Sequence, residues 1–530
     1  MSGFLVSLGL MDADGGSGDA SGGLDARQVR MIAWGAGLLG VLLCLSFAPW
    51  SVAIQGLDSM FYYFTAERVA YGTPPHLSAF SPQNALGVVL PGLGIAVGRL
   101  VGFDAVYASR VVTILCYAVS VAVVTLLGLR LFGRRSGAMF AGLVFLTFTP
   151  LAFMAAATGQ PKTVLVVFVP LTLYGVVRNN LFLAGLAAAC AYLSYQPALL
   201  LMGGVVVAVA VAPGWKSNIG RALAGFVLPV LAYVLYLWSL GALWEAVVQT
   251  HVFMAVSRGE EGGPPTLAVL YQLWHRIWVG GFGRWNIIPL IGGLGVLGVL
   301  TAIVLRPRRA LDTIRREPGW IAVLVSGAGV AAYAAVDNGG VPDSFLGLTY
   351  LALFTTVVFV TATAFIRRRF GPGAGAGAQF GIVLGLVAIM FGGFRQQRQN
   401  LVPYGLAEQR HAAAAVGEMI HAGRSVFVLG FPYLLSMNHV DNWSIFSSSH
   451  SVRPGSGYWE YLHPGQDFIP ARGDSLPDIM VVSRGKPPGW PEWLVQHFDS
   501  VGVEPLHVVG AAVWVRRAGA RVGPVVDGAD

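Results

Sequence analysis

Up to about residue 395 the chain alternates long apolar runs with short turns rich in arginine. A helix that crosses a bilayer needs roughly 17 to 25 mostly apolar residues, because without water its amides must pair inside the helix. On that measure the runs predict spans near 31–54, 105–131, 137–157, 163–177, 181–195, 197–211, 222–243, 287–305, 320–336, 345–365 and 380–394. That makes about eleven helices. The short pair 181–195 and 197–211, separated only at Gln196-Pro197, reads equally as one broken hairpin.

The polar stretches organise the rest. Residues 1–30 contain Asp12-Ala13-Asp14-Gly15-Gly16-Ser17-Gly18-Asp19, which buries nothing and is expected to form a disordered cytoplasmic N-terminus. No basic region with a cleavage site marks a signal peptide there. With that end inside, Arg130, Arg134, Arg135, Arg178, Lys216, Arg221, Arg306, Arg308, Arg309, Arg315, Arg316, Arg367, Arg368 and Arg369 all fall on the cytoplasmic side, as the positive-inside rule requires. The transmembrane part is then 31–395, with two long outward loops, 55–104 and 244–285. Everything after Arg395 is extracytoplasmic. Within 396–530, a helix-like stretch over 408–421 precedes strand-like segments at 425–429, 478–482 and 511–515, apolar, β-branched and bounded by turn residues. A small α/β domain is expected. The run Gly371-Pro372-Gly373-Ala374-Gly375-Ala376-Gly377 predicts a flexible connection between spans.

Composition narrows the class. The 530 residues are 55% hydrophobic and 11% charged, with a mean hydropathy of +0.66, against about 25% charged residues in a soluble domain. The net charge of +8 reflects retained cytoplasmic loops rather than a nucleic-acid surface. Cys44, Cys116 and Cys190 lie inside apolar runs and read as small core residues, neither disulfide framework nor metal ligands.

Few motifs carry chemistry. Gly293-Leu294-Gly295-Val296-Leu297-Gly298 matches a dinucleotide-binding glycine pattern, but mid-span it reads as a helix-packing face. Arg472-Gly473-Asp474 and the sequon Asn442-Trp443-Ser444 are short enough to arise by chance, and the ten histidines form no ligand-like cluster. Carboxylates say more, since each costs about 2.5 to 3.5 kcal/mol near hydrocarbon. Asp58 stands just past the first span, in Gln55-Gly56-Leu57-Asp58-Ser59-Met60-Phe61-Tyr62-Tyr63, with Glu67 and Arg68 two turns on. It reads either as a helix N-cap or as a functional carboxylate.

After Asp58 come Ala66-Glu67-Arg68-Val69-Ala70-Tyr71-Gly72-Thr73-Pro74-Pro75 and Phe80-Ser81-Pro82-Gln83-Asn84-Ala85-Leu86-Gly87. An apolar stretch then runs to Gly102, Tyr107-Ala108-Ser109-Arg110 opens the second span, and Arg130-Leu131-Phe132-Gly133-Arg134-Arg135 makes a basic turn. In this order of parts about the first 200 residues resemble the polyprenyl-phosphate-sugar-dependent glycosyltransferases of the GT-C superfamily, in particular the dolichyl-phosphate-mannose protein mannosyltransferase-like branch. The later spans and the outer domain agree in layout.

The resemblance implies an all-α polytopic membrane protein, GT-C-like, with a small extracytoplasmic α/β C-terminal domain. It implies transfer of a sugar, mannose first, from a dolichyl or polyprenyl phosphate in the cell membrane to an extracytoplasmic glycan, lipid or protein, with inversion. Asp58 would be the catalytic carboxylate. One base suffices, because the leaving group is already a weakly basic phosphate and needs no general acid, unlike glycoside hydrolysis with its two carboxylates. Cations to hold the phosphate would come from Arg68, Arg110, Lys162, Arg258, Arg276 and Arg284, with Glu67 and Gln160 completing the substrate-binding set. Lys162 reads equally as a headgroup-snorkelling side chain.

The next outer loop, Ala157-Thr158-Gly159-Gln160-Pro161-Lys162-Thr163, lacks the second acid that related enzymes often carry there. Gln160 can hydrogen-bond an acceptor but is neither a base nor a comparable metal ligand. No cofactor is indicated, and a divalent metal is left open. The second long loop, with His251, Arg258, Glu260 and Glu261 and then Tyr271, Trp274, Trp278 and Trp285, reads as a flap and an interfacial helix that either closes over the donor or only lies at the membrane surface. The alternative function is a polytopic transporter or lipid flippase, against which stand the lack of an internal repeat and the scarcity of acids inside the spans. A non-catalytic scaffold would account for the outer domain but not for the charged first loop.

Overall fold

The computed structural model describes residues 26–47, 51–77, 79–157, 160–212, 214–253, 255, 286–308, 317–336, 341–399, 401–442, 461–462, 476–483 and 496–518. In chain order the helices are α1 (Ala26–Phe47), α2 (Leu57–Ala70), α3 (Leu86–Leu100), α4 (Ala105–Phe132), α5 (Arg135–Leu146), α6 (Thr149–Ala157), α7 (Pro161–Val177), α8 (Leu181–Ser194), α9 (Leu199–Ala210), α10 (Trp215–Ser239), α11 (Leu243–Val247), α12 (Ile288–Leu305), α13 (Pro318–Val336), α14 (Leu348–Phe370), α15 (Pro372–Gln399) and α16 (Leu406–His421). A small sheet follows, built from β1 (Val426–Leu429), β2 (Ile479–Ser483), β3 (Phe498–Val501) and β4 (Ala511–Arg516), with the short helices α17 (Tyr433–Ser436) and α18 (Glu504–Val508). The chain is a polytopic membrane protein with a small C-terminal sheet.

Every apolar run predicted as a span is helical, and the helices differ in length. Among the described residues six helices are long and apolar enough to cross a bilayer, namely α1, α4, α10, α12, α14 and α15, and α5 with α6 makes a seventh bent by 60°. The apolar stretches of α7, α8, α9 and α13 are shorter, 10–17 residues each. At about 1.5 Å per residue, α8 with 14 residues and α9 with 12 fall short of a roughly 30 Å hydrocarbon layer. Much of α7 and α8 is buried among neighbouring helices, where protein rather than lipid surrounds their ends. The pair 181–195 and 197–211 proves to be two helices joined by one 3-10 turn, Gln196–Ala198.

Glycines do different work from what the sequence predicts. The run 371–377 is no flexible connection: only Gly371, at φ 93°, turns the chain, and α15 begins at Pro372. Gly375 packs on α14 so closely that a Cβ there would sit 2.7 Å from that of Arg367. In the 293–298 run only Gly295 packs, its missing Cβ making room for the Phe354 carbonyl at 2.2 Å, while Gly293 and Gly298 face open space. Closer still, α8 and α10 cross where Gly185 meets the Ala222 carbonyl and Gly225 that of Phe182. Such backbone approach is how helices associate where lipid removes the hydrophobic drive.

Among the described residues two large buried clusters hold the molecule, with a small third at Leu237, Ala242 and Ala246. The first fills the bundle, with Tyr117, Phe140, Phe145, Phe148 and Trp320 among its largest members. The second joins α2 and α3 to the C-terminal layer: Met60, Phe61, Tyr63 and Phe64 pack with Val416, Val428, Tyr433, Leu434, Ile479 and Val513. In that layer β1 pairs parallel with β2, and β4 runs antiparallel between β2 and β3. Strand β3 was not expected, because only its Phe498 is buried and Asp499, Ser500 and Val501 lie exposed at the sheet edge. Gln409 of α16 seals the joint, accepting from the Ile54 amide at 2.8 Å and donating to the Ile54 carbonyl at 3.1 Å.

Candidate functional site

Helix α2 starts at an unusual residue. Its N-cap is Gly56 at φ 78°, a left-handed conformation that glycine adopts without a Cβ penalty. Asp58 is therefore the second residue of the helix rather than its cap, and its side chain is exposed. Among the described residues its carboxylate makes no hydrogen bond or ion pair. The helix dipole favours the anion at that end. The next residue, Ser59, accepts a hydrogen bond at 3.2 Å from Gln160, which directly precedes α7. Pro161 lies against Gly87 at the start of α3, so the 160–162 turn is fixed against both loop helices.

Two residues beyond Gln160, Lys162 forms an ion pair with Asp343 of the 3-10 turn Val341–Gly347. The Tyr195 hydroxyl donates to the same Asp343 oxygen at 2.9 Å and lies 2.8 Å from that of Tyr333. Lys162 also stands 4.8 Å from the centre of the Tyr195 ring. On α2, burial pushes the Tyr62 phenol up, and the charges of Asp58 and Asp343 add to the rise, so both carboxylates act on one hydroxyl.

Lys162, Tyr195, Tyr333 and Asp343 line a cavity of about 890 Å3. Gln83, Lys162, Tyr195, Gln196, Thr250, Tyr333 and Asp343 supply the polar wall. The rest is apolar and runs down one side of α9 through Leu199, Leu200, Met202, Val206 and Val207. The wall near Gln83 is braced by Gln196, which donates to the carbonyls of Pro82 at 2.9 Å and Thr250 at 3.2 Å. Behind it, Gln249 accepts from the Ser81 amide at 2.8 Å and donates to the His76 carbonyl at 2.9 Å. Burial pushes the His76 imidazole down to about 4, so it is neutral at pH 7.

The remaining expected residues lie elsewhere. Glu67 is fully buried, with Arg68 Nε 3.1 Å and His439 Nδ1 2.8 Å from its carboxylate, and Arg68 pairs with Asp441 at 2.8 Å. Burial raises the Glu67 carboxyl, and the bonds from His439 and Arg68 offset part of the rise. That network joins α2 to the C-terminal layer, away from the cavity wall. Arg110, also buried, donates to the carbonyls of Val52 at 2.6 Å and Ala157 at 3.3 Å, pinning two loops. Arg258, Arg276 and Arg284, like the aromatic stretch 271–285, lie outside the described residues. No group of three or more His, Cys, Asp or Glu suited to a metal occurs among the described residues.

Sequence reasoning missed Asp343, Tyr62, Tyr195 and Tyr333. A signal for Asp343 existed: with Asp337 it is one of two acids in the short connection between two apolar runs, a circumstance like the one that drew attention to Asp58.

No protein-family model matches the chain, and no curated protein does. Among solved structures, ArnT from Cupriavidus metallidurans in the apo state aligns over 92% of this chain and 98% of its own, at 13% identity and a TM-score of 0.55. The chain shares the fold of ArnT. A second crystal structure of ArnT, bound to undecaprenyl phosphate, aligns over 93% of this chain and 99% of its own, at 14% identity and a TM-score of 0.49. The likeness of fold extends over nearly the whole chain, beyond the first 200 residues on which the sequence resemblance rests.

Proposed function

We propose that the protein is a membrane glycosyltransferase that moves one sugar from a polyprenyl-phosphate carrier to an acceptor hydroxyl at the extracytoplasmic face, with the N-terminus cytoplasmic. The observation that carries this reading is the lining of the cavity: a lysine and tyrosine hydroxyls together with an apolar wall along α9, while the residue after Asp58, Ser59, is bonded to Gln160, two residues before Lys162. A phosphate with a long apolar tail matches both ends at once. The undecaprenyl phosphate seen in ArnT is a ligand of that class.

In the proposed reaction Asp58 takes the proton of the acceptor hydroxyl, whose oxygen attacks the anomeric carbon from the face opposite the phosphate. The bond between that carbon and the phosphate oxygen breaks, polyprenyl phosphate leaves with the electron pair, and the configuration inverts. Lys162 balances the charge gained by the departing phosphate. Before the donor arrives Asp343 occupies Lys162, so donor binding exchanges one anion for another. Gln160, bonded to Ser59 beside the base, is placed to orient the acceptor. Mannose is the sugar proposed first, with a glycan, lipid or protein as acceptor. Glu67, Arg68 and Arg110 hold the site's framework in this reading.

The test is sugar transfer from short-chain polyprenyl-phosphate-mannose and -glucose by purified protein. Asp58→Asn is expected to lose at least about 100-fold in rate, with donor binding retained, as removal of a general base predicts. An Asp58→Asn enzyme as fast as wild type would remove Asp58 from the chemistry. Absence of transfer from every donor, together with lipid or solute movement in proteoliposomes, would replace the reading with the transporter or flippase.

A further inference from the structure

A second cavity, of about 530 Å3, opens where the corner between α3 and α4 meets α16 and the residues after α17. It shares no lining residue with the first. Two arginines stand on its wall. Arg99, exposed in the last turn of α3, holds its guanidinium 3.6 Å from the centre of the Tyr71 ring and donates to the Ala70 carbonyl at 3.2 Å. Arg410 pairs with Asp104 at 2.6 Å and lies 5.6 Å from the centre of the Tyr107 ring. The first residues of α4 complete the wall, so the positive end of a 28-residue helix faces the same space. The one carboxylate, Asp104, is already engaged: one oxygen accepts from the amides of Val106 and Tyr107, the other from Arg410. With the α4 amides already capped by Asp104, two guanidiniums against one carboxylate among the described lining residues leave the wall with an excess of positive charge.

The cavity adjoins an apolar stripe. Leu93, Val97 and Leu100 of α3 follow one another on one helix face and are exposed, as are Val101 and Phe103 beyond them. Leu100, next to Arg99, is 86% exposed. We propose that this corner binds an anionic phospholipid of the surrounding bilayer, its phosphate between Arg99 and Arg410 and its acyl chains along Leu93, Val97 and Leu100. A free phosphate would use only the cavity. The stripe has a use only for a ligand with a tail.

Native mass spectrometry of the full chain in detergent, titrated with phosphatidylglycerol, phosphatidylcholine or soluble glycerol phosphate, tests this. Wild type is expected to retain phosphatidylglycerol at least about tenfold more strongly than phosphatidylcholine. Arg99→Gln is expected to abolish that preference, and Leu100→Gln to weaken phosphatidylglycerol without changing glycerol phosphate. Both side chains are exposed, so neither change opens the core. Arg178→Gln, another exposed arginine elsewhere in the chain, is expected to behave as wild type and so controls for net charge. Equal retention of the two phospholipids, or an Arg99→Gln protein that keeps the preference, would overturn the proposal. So would glycerol phosphate competing as well as the lipid, with Leu100→Gln silent, which would assign the cavity to a free phosphate. None of these readouts involves sugar transfer, so the outcome stands apart from the proposed activity.

Discussion

Lys162 and Asp343 are each mostly buried, with side chains 12% and 13% exposed, and each neutralises the other. Removing one partner of such a pair leaves a charge without compensation, which costs about 3 to 5 kcal/mol. Lys162→Met is therefore expected to lower the thermal transition clearly and to weaken polyprenyl phosphate binding by about 10- to 100-fold. Asp343→Asn removes the competitor and is expected to tighten that binding by about three- to tenfold. The double variant is expected to recover stability without recovering affinity, a separation that calorimetric titration and thermal unfolding read independently. The sequence made half of this pair legible. Lys162 stood out as a rare lysine, whereas its partner lies 181 residues later and only packing brings the two together.

At the level of elements, periodicity and length marked the helices, and the breaks came from packing. A run of apolar residues says nothing of how many neighbours will cover it, so the runs of α7 and α8, largely buried among other helices, look like any other span in the sequence. Glycine spacing misled for a related reason, since the same residue serves as hinge or contact according to what approaches it. The bracing segment around His76 shows what sequence could not reach. His76 is buried, sits at φ 69° and rests against Gln249. Its folded value of about 4 lies below the ordinary 6.5. The stability it contributes is full above pH 6.5 and is lost as the pH falls through 4, by about 3 kcal/mol at most. His76→Asn keeps the backbone conformation, which asparagine tolerates, and removes the titration. The hydrogen-exchange protection factors of residues 76–83, taken against the intrinsic rate at each pH, are expected to fall from pH 6.5 to 4 in wild type, and this loss of protection is expected to disappear in the variant.

For the whole molecule the decisive fact is that one core runs across the division expected at residue 396. Phe64 is fully buried there, in the helix that carries Asp58. Phe64→Ala is expected to cost about 3 to 5 kcal/mol, to free the C-terminal layer for limited proteolysis, and to depress transfer although no residue near the cavity has changed. If the layer folded independently, proteolysis would instead release it as readily from wild type. The sheet strands were legible from their β-branched runs, except for β3, where three of four residues face out. The shared core was not legible, because nothing in a linear pattern tells which buried face will meet which.

The joint between Ile54 and Gln409 spans 355 residues of chain. At about 5 to 20 residues per second, a ribosome needs roughly 20 to 70 s to pass from one to the other. Throughout that interval the helix bearing Asp58 waits at the membrane surface with its aromatic side uncovered. The order of synthesis therefore places assembly of that helix's support after every helix from α3 to α15 has been made.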